Sequence, residues 1–426
     1  MSLEKGRYQT YIKILEKELL PSLGCTEPIA IAYVAAKAKD VLGKFPDKII
    51  TECSGNIIKN AKGVIVPTTG DLKGIKAATL LGTCGGDSSR GLEVLTSVTQ
   101  TDLKKTRELL DGELCESRIL DTKAKLHIIV KMFKDDDYSL VEVIHTHTGI
   151  VRIEKNGERL LDLPYDEEDP GEGNINYSTL NLNDIYEFAN TVDIKDVEPV
   201  LCGQIEYNSA VAEEGLRNNY GENIGSTLIE IYGEDIKVRA RAKAAAGSDA
   251  RMSGCELPVI INSGSGNQGM TVSLPVIEFG KGLGCTQQQI YRALTLSNLI
   301  AIYQKSRIGL LSAYCGVVNA AAGAGAGITY LYHGGIEEVS KTITNTLANI
   351  SGIICDGAKP SCAAKIASSV DAAIIGSTMA LKGKQFSPGE GIVKDQVEDT
   401  VQAVIRLAKE GMKVTDDVIL KIMVEE

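Results

Sequence analysis

The amino-acid sequence predicts an α+β protein, with a mainly helical domain and an inserted smaller α+β domain. Short segments rich in Ile and Val are confined to about residues 45–177, and Ala-rich helical patterns dominate on both sides of them. A chain of 426 residues with 43% hydrophobic and 24% charged residues suits two or three domains. We therefore predict a helical domain from residues 1–44 and 178–426, and an α+β domain from residues 45–177.

Residues 5–41 predict two helices, because apolar residues recur there at helical spacing on both sides of a break at 20–24. Pro28 suits the first turn of the second helix. Cys25 is therefore expected in a loop directly before a helix N-terminus. Backbone donors and the positive end of the helix dipole would lower the pKa of a thiol there.

The next region alternates strand and helix patterns. Helices are predicted at 73–82 and 101–111, and strands at 48–53, 63–66, 126–133 and 139–147. Asn156-Gly157 predicts a hairpin turn. His145 and His147 alternate on the last strand, which favours two surface histidines over a metal site. The acidic, turn-rich residues 165–173 are predicted to form a loop or linker.

The C-terminal half is unusually poor in charge. Residues 257–384 contain 14 charged residues in 128, and residues 308–336 contain no Asp, Glu, Lys or Arg. That segment is long enough to span a bilayer. Its seven Gly residues and its polar Asn and His instead favour closely packed helices in a protein core. A further helix is predicted at 336–350.

Composition excludes several functions. A net charge of −11 repels phosphate backbones and anionic lipid, and without Trp the chain offers little for base stacking. We therefore expect no nucleic-acid partner and no membrane association. The polar N-terminus does not resemble a signal peptide, so we predict a cytoplasmic protein whose ten cysteines are thiols or metal ligands.

A G-x-G-x-x-G pattern spans residues 264–269, but its context does not suit a dinucleotide site. No acidic residue occurs between Glu278 and Glu337, and the flanking sequence is helical. A loop at 262–270, before a helix starting near Thr271, would present backbone N–H groups to an anion such as a carboxylate. A tight loop that needs Gly for its backbone angles explains the pattern equally well. The candidate binding residues are Ser263, Ser265, Gly266, Asn267, Gln268 and Gly269.

Three cysteines lie in the least charged part of the chain, namely Cys315, Cys355 and Cys362. An iron–sulfur cluster would be shielded from solvent there, whereas free thiols would be inert packing residues. The C-x6-C spacing is not one of the ferredoxin patterns. Three cysteines without an obvious fourth would leave one iron open, as a Lewis-acid cluster requires.

Seven motifs together resemble the L-cysteine desulfidase family, which is related to the iron–sulfur L-serine dehydratase α chain. They are SLGCTEP at 22–28, SGNIIKN at 54–60, CGGD at 84–87, SDARM at 248–252, GSGNQG at 264–269, YCGVVNAAAGAG at 314–325 and CDGAKPSC at 355–362. The resemblance implies an oxygen-sensitive [4Fe-4S] lyase that converts L-cysteine to pyruvate, ammonia and sulfide without pyridoxal phosphate. It implies that Cys315, Cys355 and Cys362 are the cluster ligands and that Cys25 is the catalytic base.

Two departures from the serine dehydratases favour L-cysteine as the substrate. The gap between Cys355 and Cys362 is shorter than its counterpart in those enzymes, and their serine-rich N-terminal motif is missing. The alternatives are an iron–sulfur L-serine dehydratase and, more distantly, a cysteine-ligated metal or redox sensor. Spacing also leaves open that Cys25 is a ligand and Cys362 a packing residue. Cys285 lies outside the motifs and is expected to pack. A homodimer is possible.

Overall fold

The computed structural model describes residues 4–168 and 175–424, so residues 169–173 of the expected acidic linker lie outside the described residues. The fold is α+β and mainly helical, as the sequence predicts. In chain order the α-helices are α1 (Lys5–Glu18), α2 (Thr26–Leu42), α3 (Gly55–Ala61), α4 (Gly74–Gly85), α5 (Gln100–Leu110), α6 (Leu182–Thr191), α7 (Ile194–Arg217), α8 (Ile224–Tyr232), α9 (Ile236–Met252), α10 (Gly266–Gly282), α11 (Gln287–Ile308), α12 (Gly316–Leu331), α13 (Ile336–Ile350), α14 (Cys362–Leu381), α15 (Val397–Arg406) and α16 (Lys413–Val424).

The strands form two sheets. They are β1 (Pro21–Leu23), β2 (Lys48–Cys53), β3 (Cys115–Ile119), β4 (His127–Lys134), β5 (Asp137–Ile144), β6 (Ile150–Lys155), β7 (Glu158–Asp162) and β8 (Pro258–Ile260). The larger sheet has the order β3-β2-β4-β5-β6-β7, in which β2 and β3 are parallel and the other pairs antiparallel. The predicted hairpin turn is confirmed, since Asn156 and Gly157 join β6 to β7 with positive φ angles of 52° and 84°.

Two strand predictions were wrong in extent. Residues 63–66 form no strand, and Ile65 makes only an isolated bridge to Lys73. Pro67 follows directly and has no N–H to extend a ladder. The strand expected at 139–147 ends at Ile144, because His145 takes a left-handed backbone conformation with φ of 64°.

The uncharged segment at 308–336 supplies the central helix of the helical region. Helix α12 packs against α10, α11 and α14, and nearly all of its residues are buried. Gly323 explains the close approach to α11, because a Cβ there would lie only 2.4 Å from the carbonyl oxygen of Ser297. Across the described ranges, no helix combines the length and apolar character that crossing a membrane requires.

The N-terminal segment connects the two parts of the fold. Helix α1 contacts α7 and α11, whereas α2 packs on α4 and on the sheet strands β4 and β5. Between these helices, β1 pairs antiparallel with β8, so that Pro21 lies opposite Ile260. Cys25 therefore follows a strand that is anchored in the helical part and precedes a helix that lies on the sheet. The exact domain division stays a prediction.

We expect Gly82→Ala to destabilise the packing of α2 on α4. A Cβ at Gly82 would lie 2.2 Å from the carbonyl oxygen of Ala32 in α2, so the helices must separate. Such overpacking costs roughly 1–3 kcal/mol of unfolding free energy, measurable by urea denaturation. The control is Gly6→Ala in α1, where a Cβ meets nothing within 4 Å. Equal stability of the two variants would contradict this packing.

Candidate active site

Cys25 is buried at the N-terminus of α2, as its N-cap residue. Its thiol donates a hydrogen bond to Glu27 Oε2 at 3.0 Å, and the carbonyl oxygen of Asn60 lies 4.0 Å away. Burial and the negative charge of Glu27 raise the pKa of the Cys25 thiol well above its ordinary value, against a smaller opposing effect of Arg251. The lowered pKa expected from a helix N-terminus alone is therefore wrong for this site, because desolvation and the neighbouring carboxylate dominate.

Glu27 is a buried carboxylate that sequence reasoning missed. Its Oε2 atom also accepts a hydrogen bond from Thr26 Oγ1 at 3.1 Å, and its Oε1 atom lies 3.8 Å from His147 Nε2. Burial raises the pKa of Glu27, but His147, the Cys25 thiol and the charge of Arg251 together outweigh burial and lower it to about 2. Glu27 is consequently ionised at neutral pH.

His147 was expected on a strand surface, and that prediction was wrong. The chain leaves β5 at Ile144, and His147 turns inward, where it is only 6% exposed. Its Nε2 atom has no hydrogen-bond partner in the part of the chain that the structure describes. Only the alternation His145-Thr-His147 marked it in the sequence, and that pattern gave no reason to place it beside Glu27.

The glycine-rich segment lies against the N-terminus of α2. The Thr26 hydroxyl, whose one proton is shared between two acceptors, lies 3.0 Å from the carbonyl oxygen of Gly264 as well as near Glu27. The loop is shorter than expected, because α10 begins at Gly266 rather than near Thr271. Ser265 is the N-cap residue, and its Oγ atom accepts a hydrogen bond from the Gln268 backbone N–H at 3.4 Å.

Four predicted binding residues therefore form the first turn of α10, namely Gly266, Asn267, Gln268 and Gly269. Both glycines have a steric reason to be there. A Cβ at Gly266 would lie 2.3 Å from Arg251 Nε, and one at Gly269 would lie 2.1 Å from the carbonyl oxygen of Ile260. These contacts favour the structural explanation of the glycines.

Ser263 precedes this turn with a positive φ of 49°. Its Oγ atom donates to Asn262 Oδ1 of the preceding residue at 2.9 Å. Gln268 lies at the opposite side of the turn, beside Gly316 at the start of α12, and its Oε1 atom is buried without a hydrogen-bond partner among described residues. The turn thus lies between Cys25 and the helix that carries Cys315.

The three cysteines expected to act as ligands come together. Segments 313–315 and 353–355 run side by side, with hydrogen bonds from the Cys315 N–H to Ile353 and from the Cys355 N–H to Ala313. Contact between their thiols lowers the pKa of Cys355 and raises that of Cys315. Cys362 opens α14, and it is close enough to the other two that its charge raises the pKa of Cys315 while the charge of Cys355 raises its own pKa.

Cys25 adjoins the loop between Cys355 and Cys362. The side chains of Cys25, Val64 and Met252 form a small buried cluster, and Ala358 packs against it. Gly357 approaches the backbone of Lys59 so closely that a Cβ would lie 2.3 Å from its carbonyl oxygen. The proposed base and the three proposed ligands therefore belong to one site.

Buried cations surround the three thiols, and the sequence analysis missed them. Lys59 Nζ donates to Asp416 Oδ1 at 2.6 Å and to the carbonyl oxygen of Cys355 at 3.3 Å. Lys305 is buried in α11, where desolvation lowers its pKa while Cys355, Cys315 and Glu27 oppose that effect. Within residues 4–168 and 175–424 it makes no salt bridge. The only sequence signal was the apolar run that precedes Lys305 in the helix.

These residues fit an iron–sulfur cluster better than a single ion. Among the described residues, no three His, Cys, Asp or Glu side chains are grouped as one metal ion requires. A cluster places each thiolate on its own iron and carries a net negative charge when three thiolates hold it. Lys305 forms no salt bridge among the described residues and lies near Cys315 and Cys355. Burial disfavours its ammonium form, and an anionic cluster beside it would supply the missing counter-charge.

Residues 89–421 match the family described as serine dehydratase alpha chain. The chain belongs to the serine dehydratase alpha chain family. It is 61% identical over 416 residues to the UPF0597 protein of Lachnoclostridium phytofermentans. The aligned region covers 98% of this chain and 99% of that protein. It is 51% identical over 427 residues to the UPF0597 protein of Desulfitobacterium hafniense, and that aligned region covers 100% of this chain and 99% of the other. A third UPF0597 protein, from Treponema denticola, is 46% identical over 431 residues and covers all of both chains.

Membership of the serine dehydratase alpha chain family confirms the broader of the two expected relationships. The match includes the predicted binding turn and the three cysteines, and it begins after Cys25 and Glu27. The narrower resemblance to the L-cysteine desulfidases stays a prediction.

We expect Asp416→Asn to destabilise the protein by about 3 kcal/mol, because it leaves the Lys59 ammonium buried without its ion-pair partner. Urea denaturation measures this loss. The control is Glu410→Gln, which breaks the exposed pair with Arg406 on the same C-terminal segment and should have no measurable effect. If both variants unfold at the wild-type urea concentration, the buried pair does not stabilise the segment that supports Cys355.

Proposed function

We propose that the protein is a [4Fe-4S]-dependent lyase that degrades L-cysteine to pyruvate, ammonia and sulfide by α,β-elimination. The observation that carries this proposal is the convergence of Cys315, Cys355 and Cys362 beside the buried Cys25, in a member of the serine dehydratase alpha chain family. The independence from pyridoxal phosphate, the cytoplasmic location and the possible homodimer remain predictions from the sequence.

Cys315, Cys355 and Cys362 would hold the cluster, and Lys305 would balance its charge. When bound, a cluster with an iron that lacks a protein ligand supplies Lewis acidity toward the leaving group. Cys25 is reserved in this proposal for proton transfer, because its thiol contacts Glu27 rather than another thiol.

Cys25, as the thiolate, removes the proton from Cα of the substrate. The electron pair of that bond forms the Cα–Cβ double bond, and the pair of the Cβ–S bond leaves with sulfur as sulfide. Aminoacrylate is the product, and water hydrolyses it to pyruvate and ammonia. The turn formed by Ser263, Ser265, Gly266, Asn267, Gln268 and Gly269 would receive the substrate carboxylate on the backbone N–H groups that begin α10.

An L-serine dehydratase is the second candidate, and the family match over residues 89–421 favours it. The same residues would act on a substrate whose leaving group is a hydroxyl. The reaction would then release water at Cβ and give the same aminoacrylate. Only the leaving atom distinguishes the two proposals.

We expect the anaerobically prepared holoenzyme to have a higher kcat/KM for L-cysteine than for L-serine. Pyruvate formation from each substrate, with sulfide measured in parallel, tests this. A preference for L-serine would assign the protein to the second candidate. Failure to release pyruvate from either amino acid by protein that contains its iron and sulfide would contradict both.

The roles of the cysteines predict different losses. Cys362→Ala should reduce iron content, because one ligand is gone, whereas Cys25→Ala should keep the iron and the visible spectrum while losing elimination activity. Cys25→Ser should be nearly as inactive, since a hydroxyl loses its proton far less readily than a thiol. Iron per chain, measured for both alanine variants side by side, decides the assignment. Iron loss in Cys25→Ala with retention in Cys362→Ala would exchange the two roles.

The pH dependence of kcat/KM should reflect Cys25. Activity rises as the thiol loses its proton, and burial and Glu27 raise the pKa of that thiol, so the rise should lie above the usual thiol range of about 8–9. Glu27→Gln removes the negative charge and should move the rise to lower pH. The substrate titrates in the same way with the wild-type protein and with Glu27→Gln, so its titration does not contribute to the difference between their pH profiles. An unchanged profile would show that Glu27 does not act on the base.

A further inference from the structure

We propose that Glu27 and Arg251 recognise the two charges of a free α-amino acid, with Glu27 binding the α-ammonium group and Arg251 binding the α-carboxylate. This inference rests on the proposed function and specifies its substrate class, because neither residue distinguishes a thiol from a hydroxyl leaving group.

Among the described residues, Arg251 is a buried cation without an anionic partner. It ends α9 and is only 3% exposed. Its Nη1 atom donates to Asn267 Oδ1 at 3.2 Å, but its Nε atom is buried with no hydrogen-bond partner, and no carboxylate of the described residues lies within 4 Å. A buried guanidinium rarely lacks a counter-charge, and a bound anionic ligand would supply one.

Glu27 is the complementary buried anion. Its Oε2 atom accepts hydrogen bonds from Cys25 and Thr26, both of which are neutral donors. No Lys or Arg in the described chain forms a salt bridge with it, and His147 Nε2 stands 3.8 Å from Oε1, beyond hydrogen-bond distance. A carboxylate that stays ionised there retains the capacity to accept a hydrogen bond from an ammonium group.

Both charges lie next to Cys25. Glu27 accepts the hydrogen bond of the Cys25 thiol, and the positive charge of Arg251 is close enough to act on that thiol and lower its pKa. The Cα atom of a free amino acid bears an ammonium group, a carboxylate and the proton to be removed. Cys25, Glu27 and Arg251 offer one complementary group for each of these three substituents.

The first turn of α10 connects this arrangement to the proposed carboxylate site. Asn267 accepts the hydrogen bond from Arg251, and the absent side chain of Gly266 leaves room for the guanidinium. A carboxylate at the helix N-terminus would therefore also meet Arg251. Charge-assisted hydrogen bonds of this kind are stronger than backbone contacts alone.

Substrate binding would also favour the base. The negative charge of Glu27 opposes ionisation of Cys25, and an ammonium group on Glu27 would reduce that opposition. A compound without an ammonium group would occupy the carboxylate side and leave Cys25 protonated. Free α-amino acids, rather than hydroxy acids or simple thiols, are therefore the class that fits.

Two analogues that each lack one charge provide the test. 3-Mercaptopropionate lacks the ammonium group, and cysteamine lacks the carboxylate. Their dissociation constants for the anaerobic holoenzyme are measured by equilibrium titration, which requires no turnover. Arg251→Met should weaken the binding of 3-mercaptopropionate about 10–100-fold and change the binding of cysteamine less than about threefold. Glu27→Gln should weaken the binding of cysteamine and leave that of 3-mercaptopropionate nearly unchanged.

The matched control is Arg241→Met on the same helix, because Arg241 already pairs with Asp371 at 2.8 Å and should leave both constants unchanged. Iron content and circular dichroism establish that each variant is folded and loaded. If Arg251→Met does not fold, Arg251→Lys replaces it and should weaken 3-mercaptopropionate selectively by a smaller factor. Equal weakening of both analogues by either variant, or no weakening, overturns the assignment. Failure of the wild-type protein to eliminate from any amino acid would instead reject the proposed function, while the analogue pattern still tests the two charges.

Discussion

The pairing of β1 with β8 is the contact on which the site depends. It places Ser22 opposite Val259, and the Ile261 N–H continues the ladder by donating to the carbonyl oxygen of Leu20 at 2.9 Å. The SLGCTEP motif is thereby fixed against the strand that leads into the GSGNQG motif. Gly24, with φ of 62°, turns the chain out of this strand so that Cys25 begins α2. Two motifs far apart in the sequence thus meet at the N-termini of two helices.

A second constraint is the unusual number of buried charges around these termini. Lys59 and Asp416 neutralise each other, but Arg251 and Lys305 form no salt bridge among the described residues, and Glu27 has only His147 nearby, at 3.8 Å. Each has lost much of its hydration, which reduces the stability of the empty site. An anionic cluster beside Lys305 and a zwitterionic substrate between Glu27 and Arg251 would supply what is missing. The same charges that are unfavourable in isolation would thus create affinity for both.

Local sequence patterns predicted much of the fold. Helix α13 and strand β2 have the predicted bounds, because amphipathic helices and short β-branched segments carry their periodicity in the sequence. The strand predicted at residues 63–66 was wrong because a short apolar run is compatible with a strand or with a buried loop, and only its pairing partners decide between them. Helix α10 starts earlier than expected because Ser265 caps it, so the glycines that suggested a loop instead permit close packing of its first turn. Motif resemblance located the cysteines, and their convergence needed the three-dimensional structure.

The charged residues of the site could not have been found in this way. Glu27 looked like an ordinary first-turn acid of a helix, Arg251 like a last-turn base, and His147 like a strand residue exposed to solvent. Their roles depend on which groups lie opposite them after folding, and periodicity carries no information about that. Lys305 was missed for the same reason, because with Arg307 it looks like an ordinary last-turn base of α11.

The central claim is that three cysteines hold a [4Fe-4S] cluster with one iron open to substrate. Mössbauer spectroscopy of anaerobically reconstituted protein, with iron and sulfide counted per chain, tests it most directly. We expect iron and sulfide in the proportions of one complete cluster, and a change confined to a single iron site when L-cysteine is added. Stoichiometric zinc without iron, or a complete cluster whose irons all remain unaffected by L-cysteine and by L-serine, would contradict it.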